Sequence, residues 1–311
     1  MNNIITAQQN GITPRTEITE GLFNRYIAFL DASPKTVQTY SGATRQFIKW
    51  LKEHGITQPT REDIITYRDE LKENHKPSTV QNYIVAIRLF FQWTEQEGIY
   101  PNIAQHVKGA KVDRSHKKDY LTANQIKEII AQMPEGTPQA RRDYAIFVLM
   151  TACGLRDIEV QRANIGDLRT LGEDTVLYLQ GKGHEEKSDF VRIPPVIEKA
   201  IRASIADREN KEDTQPLFIS MSNNSRGKRI STRSISGIIK NAMKRAGYDS
   251  DRLTAHSLRH TAITLALLNG QTLEEAQQFA RHRNIATTLI YSHHLDATKN
   301  NCSNTVASVI F

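Results

Sequence analysis

Residues 175–193 read TVLYLQGKGHEEKSDFVRI. The runs Thr175-Val-Leu-Tyr-Leu-Gln180 and Phe190-Val-Arg-Ile193 are rich in β-branched and aromatic residues, and Gly181-Lys-Gly183 with a polar stretch lies between them. That pattern predicts a β-hairpin with a loose turn. The rest of the chain reads as helix and connecting loop, so the hairpin sets the class: α+β, mainly helical, with a small antiparallel sheet in the second half.

Working outward, Thr122-x-x-Gln125 opens a helix through a capping-box pattern, and Asp143 to Cys153 is strongly apolar and reads as a buried one. Helices are also expected at about 195–207, 232–246, 254–268 and 273–281. In the first half, Ser33 is a candidate N-cap before Pro34, and Val37, Tyr40, Phe47, Ile48 and Leu51 recur at helical spacing. Thr60-x-x-Asp63 opens a third helix, and Pro77-Ser78 a fourth with Val80, Ile84, Ile87 and Phe91 as its stripe. Four helices with short turns make a small bundle. Lys108 to Asp119 is basic and lacks apolar periodicity, which suits an interdomain linker as well as an ordinary loop. The expected organisation is an N-terminal extension (1–15), a helical domain (16–107), a linker (108–119) and a mixed α/β domain with a C-terminal tail (120–311).

With 311 residues, two domains of ordinary size are expected. The longest nearly apolar run, Ala145 to Leu155, is too short to cross a bilayer, which takes roughly 20 apolar residues, and no secretory leader is expected. Only Cys153 and Cys302 occur, which excludes a disulfide framework and a cysteine-based zinc module and points to a reducing, cytoplasmic compartment. A net charge of +7 permits a polyanionic partner.

Reactive side chains gather at four places. Thr151-Ala-Cys-Gly-Leu-Arg156 ends the buried helix with a glycine cap, after which Arg156 emerges from the core, either to meet an anion or to pair with Glu159 or Asp143. In Ala255-His256-Ser-Leu-Arg259-His260-Thr261, helical spacing puts Leu258, Ala262, Leu265 and Ala266 on one face and His256, Arg259 and His260 on the other. The second face suits a ligand or plain solvation. His282 precedes Tyr291 by nine residues, with Thr287 as a candidate cap for a short helix carrying the Tyr, which packing alone would also explain. Lys182 stands between two glycines in the hairpin turn, where a lysine is ordinarily just exposed. Taken together, two Arg, two His and a Lys suit an anionic oxygen cage, and a Tyr supplies a nucleophile. No clustered acidic set for Mg²⁺ is visible, so no metal and no cofactor are expected.

With those residues in place, the chain resembles the tyrosine recombinase (phage integrase) family, its two-domain Xer-like members above all, over nearly its whole length. An Arg after Gly-Leu, a hairpin Lys, a His-x-x-Arg, a later His and a Tyr nine residues beyond fall on Arg156, Lys182, His256, Arg259, His282 and Tyr291. The chain departs from the pattern in having Ala280-Arg281 where Leu-Gly is usual and Ile158 where Ser is usual, whereas Glu159 and Asp167 match. The segment from His184 to Asp189 is longer than usual, which makes Lys187 a rival to Lys182.

The resemblance implies a four-helix, SAM-like core-binding domain and a catalytic domain acting on double-stranded DNA. Tyr291 would form a 3′-phosphotyrosine, Arg156 and Arg259 would hold phosphate oxygens, and Lys182 would protonate the leaving 5′-oxygen. His256 would assist proton transfer and His282 would hydrogen-bond the phosphate. Strand exchange would pass through a Holliday junction in a tetramer, for a mobile element or for resolving DNA multimers. A type IB topoisomerase-like nicking activity and a non-catalytic DNA-binding protein are the alternatives. Lys35, Thr36, Ser78 and Thr79, at helix starts, are candidate phosphate contacts as well as ordinary caps. About fifteen residues precede the helical domain, which argues against an added arm-binding domain. In the tail, Val306, Val309 and Ile310 predict a short apolar-faced helix that docks on its own domain or, as the resemblance implies, on a neighbouring protomer.

Overall fold

The computed structural model describes residue 18, residues 20–111, 119–180 and 186–291, and residues 307, 308 and 310. The chain divides into two compact units, one ending at Arg114 and the other starting at Ser115.

The first unit holds α1 (Glu20–Phe29), α2 (Pro34–Glu53), α3 (Arg61–Asn74) and α4 (Pro77–Gln96). Its helix starts follow from local chemistry. The Ser33 hydroxyl accepts from the Thr36 amide at 3.3 Å ahead of Pro34, and the Asp63 carboxylate accepts from the Thr60 amide at 2.6 Å. The α4 stripe, Val80, Ile84, Ile87 and Phe91, is wholly buried against Phe47, Leu51, Ile64 and Tyr67. Val37 and Tyr40, read from the α2 spacing as core, are only half-buried, and the inward face of that helix begins at Ala43.

The second unit holds α5 (Ala123–Ala131), α6 (Pro138–Cys153), α7 (Asp157–Arg162), β1 (Leu168–Leu171), β2 (Asp174–Leu179), β3 (Asp189–Arg192), α8 (Pro195–Ile205), α9 (Thr232–Arg245), α10 (Ala255–Leu268) and α11 (Leu273–Ala280). The strands form one antiparallel sheet in the order β1-β2-β3, with Leu168 opposite Leu177 and Leu177 opposite Val191. The hairpin is therefore present, and a third strand joins it through the tight turn at Gly172, whose φ is +63°. The Lys182 turn lies outside the described residues. The apolar α6 packs against α8 and α10, and its Ala145, Ile146, Phe147 and Leu149 are fully buried. α6 starts at Pro138, five residues before the apolar run, because Thr137 caps it through the Ala140 amide at 3.1 Å. No helix among the described residues is long and apolar enough to cross a membrane.

Candidate active site

The site grows from the end of α6. Gly154 takes the left-handed conformation (φ 59°, ψ 30°) that stops the helix. A Cβ there would lie 3.1 Å from the Phe279 ring, so the position also requires close approach. The chain turns, buries Leu155, and delivers Arg156 as the N-cap of α7. Both carboxylate oxygens of the buried Glu159 then engage Arg156: one accepts from its amide at 2.8 Å and the other from its Nη1 at 2.6 Å. The expected alternative partner, Asp143, pairs instead with Arg142.

Arg259 is 1% exposed. The solvated-face reading of α10 holds for the exposed His256 and fails for Arg259 and His260, because α6, α9 and α11 pack against the helix. Its guanidinium donates to the Gly154 carbonyl at 2.6 Å and to the Ala280 carbonyl, the chain-end acceptors of α6 and α11. Helix C-termini carry free carbonyls and partial negative charge, so one cation serves both ends. Burial, with Arg156 and Arg281 close by, lowers Arg259 to about 9, which still leaves it charged at neutral pH.

Tyr291 is 6% exposed and packs with Ile263, Ala276 and Ala280. The His260 ring lies 5.1 Å from its ring and meets the His256 ring edge-on at 4.6 Å, so a line of rings runs from the exposed start of α10 to the Tyr. Burial raises the Tyr291 hydroxyl to about 12, against the opposing pull of Arg259 and Arg156. His282 bonds the Thr288 hydroxyl through Nδ1 at 2.9 Å, and Gln277 brackets it by accepting from its amide and donating to its carbonyl. Burial, then the charges of Arg259, Arg156 and Arg281, lowers His282 to about 4, so it is neutral at neutral pH. The turn carrying Tyr291 becomes helical at Ala286, whose amide donates to Asn284 Oδ1 at 2.9 Å. Asn284 thus does the capping expected of Thr287.

Arg156, Arg259, His256, His282 and Tyr291 are brought together, and beside them a cleft of about 430 Å³ is lined by Leu155, Arg156, Asp157, Ser236, Lys240 and His256. Lys182 lies outside the described residues. Lys187 is committed elsewhere, in an ion pair with the buried Asp167. In the first unit Lys35 and Ser78 are exposed and Thr36 and Thr79 half-buried, at the starts of α2 and α4. Lys35 reaches Gln38 and Thr36 the Ser33 hydroxyl, both of them local contacts. The residue that the sequence reading left without a role is Arg281, visible there only as a departure from Leu-Gly. Its guanidinium reaches Glu159 at 3.0 Å. Among the described residues no group of acidic, His and Cys side chains is arranged to hold a metal ion.

A helical bundle followed by a mixed unit with arginines, histidines and a tyrosine at one locus defines an integrase-type protein. Residues 119–298 match the phage integrase family and residues 22–99 the N-terminal SAM-like domain of phage integrases, and the chain belongs to that family. It is similar to tyrosine recombinase XerC of Caldanaerobacter subterraneus subsp. tengcongensis, 31% identical over 196 residues, which are 63% of this chain and 52% of that protein. It is also similar to tyrosine recombinase XerD of Bifidobacterium longum, 27% identical over 274 residues, covering 83% of this chain and 86% of that one. The match thus spans about half of the first relative and most of the second. Among solved structures, the XerH site-specific recombinase bound to palindromic difH substrate in a post-cleavage complex has a TM-score of 0.72 at 15% identity, covering 88% of this chain and 80% of that one. A lambda integrase dimer bound to a COC' core site has a TM-score of 0.66 at 16% identity, covering 88% of this chain and 97% of that one. At those identities the likeness speaks for the fold.

Proposed function

We propose that this chain is a site-specific DNA recombinase that cleaves and rejoins double-stranded DNA through a 3′-phosphotyrosine, working in the cytoplasm. The observation that carries the reading is Tyr291 buried against His260 and within the field of Arg156 and Arg259. Tyr291 Oη attacks a scissile phosphate, the bond to phosphorus forms, and the bond to the 5′-oxygen breaks. The Tyr proton passes to a base with His256 assisting, a reading supported by the line of rings from His256 through His260 to Tyr291, and Lys182 gives a proton to the departing 5′-oxygen. Arg156 and Arg259 hold the non-bridging oxygens as charge builds, which is where fixed donors accelerate most. His282, neutral, acts as a hydrogen-bond partner of the phosphate. Religation reverses the step with a 5′-hydroxyl from another strand, so no ATP is consumed.

In this reading residues 16–107 form the core-binding domain, 108–119 the linker and 120–311 the catalytic domain. The division of the chain between residues 114 and 115 supports that assignment. The starts of α2 and α4, with Lys35, Thr36, Ser78 and Thr79, contact phosphates. Four protomers assemble on two sites through exchanged C-terminal tails. In support of the last point, Ile310, at a helical position, is an apolar residue left 65% exposed.

A nicked suicide duplex carrying the recombination site tests the reading. Wild-type protein should give a covalent adduct and Tyr291→Phe none, with duplex binding preserved because one oxygen is removed. Junction formation between two sites separates a recombinase from a topoisomerase-like nickase. A chain that binds duplex and never forms the adduct is a DNA-binding protein only.

A further inference from the structure

Arg281 is a non-glycine residue in left-handed backbone, with φ 52° and ψ 47° at the C-cap of α11. Side chains rarely accept that conformation without compensation. Here the compensation is visible: the side chain is 9% exposed and its guanidinium donates to the Phe279 carbonyl at 2.8 Å and to Glu159 Oε2 at 3.0 Å. Glu159 is itself 1% exposed and accepts from Arg156 through both oxygens. One buried carboxylate therefore lies between two arginines, one turned toward the cleft and one sealed behind it.

We propose that Arg281 is a positioning residue: it neutralises Glu159 from behind, so that Arg156 is oriented by the carboxylate without having its charge cancelled and stays available to a DNA phosphate. The proposal rests on the recombinase reading. Without Arg281, Arg156 and Glu159 would be a closed ion pair, and a phosphate would have to compete with the carboxylate for the same guanidinium. With it, the cluster of Arg156, Arg259, Arg281 and Glu159 keeps an excess of two positive charges. Burial alone would raise the Glu159 carboxyl, and Arg281, ahead of the Arg156 amide and charge and of Arg259, holds it below its ordinary value.

The test uses the full chain and a suicide duplex at saturating concentration, so that the adduct-forming rate is read apart from affinity. Arg281→Gly suits the left-handed backbone and removes only the side chain. Its adduct rate, read on the folded protein, should fall about tenfold, equivalent to roughly 1.4 kcal/mol of barrier, with duplex affinity close to wild type, while the thermal midpoint falls because a buried ion-pair partner is lost. Adding Glu159→Gln should restore most of the lost rate, since no carboxylate is then left to neutralise. Arg281→Lys and Arg281→Gln share the same backbone strain and differ in charge, so the Lys variant should keep the higher rate even if both fold less well. An unchanged rate in Arg281→Gly, an equal loss with and without Glu159→Gln, or equal rates for Lys and Gln would each overturn the proposal. A wild-type chain that forms no adduct at all overturns the recombinase reading, and this inference with it.

Discussion

The rings of His282 and Tyr291 lie 6.3 Å apart and within 23° of parallel, although they are nine positions apart in sequence. The spacing works because His282 leaves the left-handed Arg281 while Asn284 starts the turn that brings Tyr291 back over it. Thr288, one turn before the Tyr, locks the His282 ring at 2.9 Å. Tyr291, the proposed nucleophile, and His282 are thus fixed by one short segment.

His282 should make the protein acid-sensitive. Its native value of about 4 lies below the unfolded one, so the unfolded chain binds the extra proton first. The stabilising contribution is full above about pH 6.5, the unfolded value, and is lost as pH falls toward 4. Denaturant midpoints measured across that window should slope less steeply in His282→Gln than in wild type. A duplex phosphate beside the ring supplies negative charge, so the His282 titration, followed by NMR, should move upward on DNA binding.

Lys187 and Lys182 should separate cleanly. Lys187 is paired with the buried Asp167, and removing one partner of such a pair strands the other charge. Lys187→Ala should therefore lower the melting temperature, with a modest effect on cleavage by the protein that remains folded. Lys182→Ala should slow cleavage strongly and melt like wild type. A 5′-phosphorothiolate leaving group needs no proton and should rescue Lys182→Ala selectively. Rescue of Lys187→Ala alone would exchange the two assignments.

Gly154→Ala tests the joint between α6 and the site. The left-handed backbone costs an L-residue roughly 1–2 kcal/mol, and the new methyl would press on the Phe279 ring. Chemical denaturation should register a loss of that size. The adduct rate should fall as well, because the Gly154 carbonyl that orients Arg259 sits on the strained residue. A variant as stable and as active as wild type would mean that the joint relaxes freely.

How much of this was legible in the sequence depends on the range of the force involved. Caps at Ser33, Thr60 and Thr122 act over three residues, and the helices they open stand where the sequence places them. The hairpin was legible from its β-branched runs. β1 was not, because Leu168-Arg-Thr-Leu171 is short, largely exposed and without alternation, and exists only by pairing with β2. The residue types of the site and their spacings were legible, whereas the burial of Arg259 and His260 was not. A helical wheel gives those two a polar face, and the packing of the neighbouring helices, α6 and α11 among them, encloses it. Arg281 hid for a related reason: its role lies in a carboxylate 122 positions earlier in the chain.

The last prediction concerns the tail, most of which lies outside the described residues. Residues 307, 308 and 310 are helical and exposed, Ile310 at 65%. A helix of so few residues is marginal in water by itself and gains its stability by docking an apolar face. Ile310 is an apolar residue left exposed within its own chain, which a neighbouring protomer would cover in the proposed tail exchange. Removing residues 305–311 should then leave the monomer's melting temperature and single-site binding close to those of the full chain. Two-site complexes on native gels and junction formation should be largely lost, while adduct on a single suicide site persists. A truncated chain that unfolds as a monomer would show the tail docking on its own domain, and one that recombines normally would show that assembly does without it.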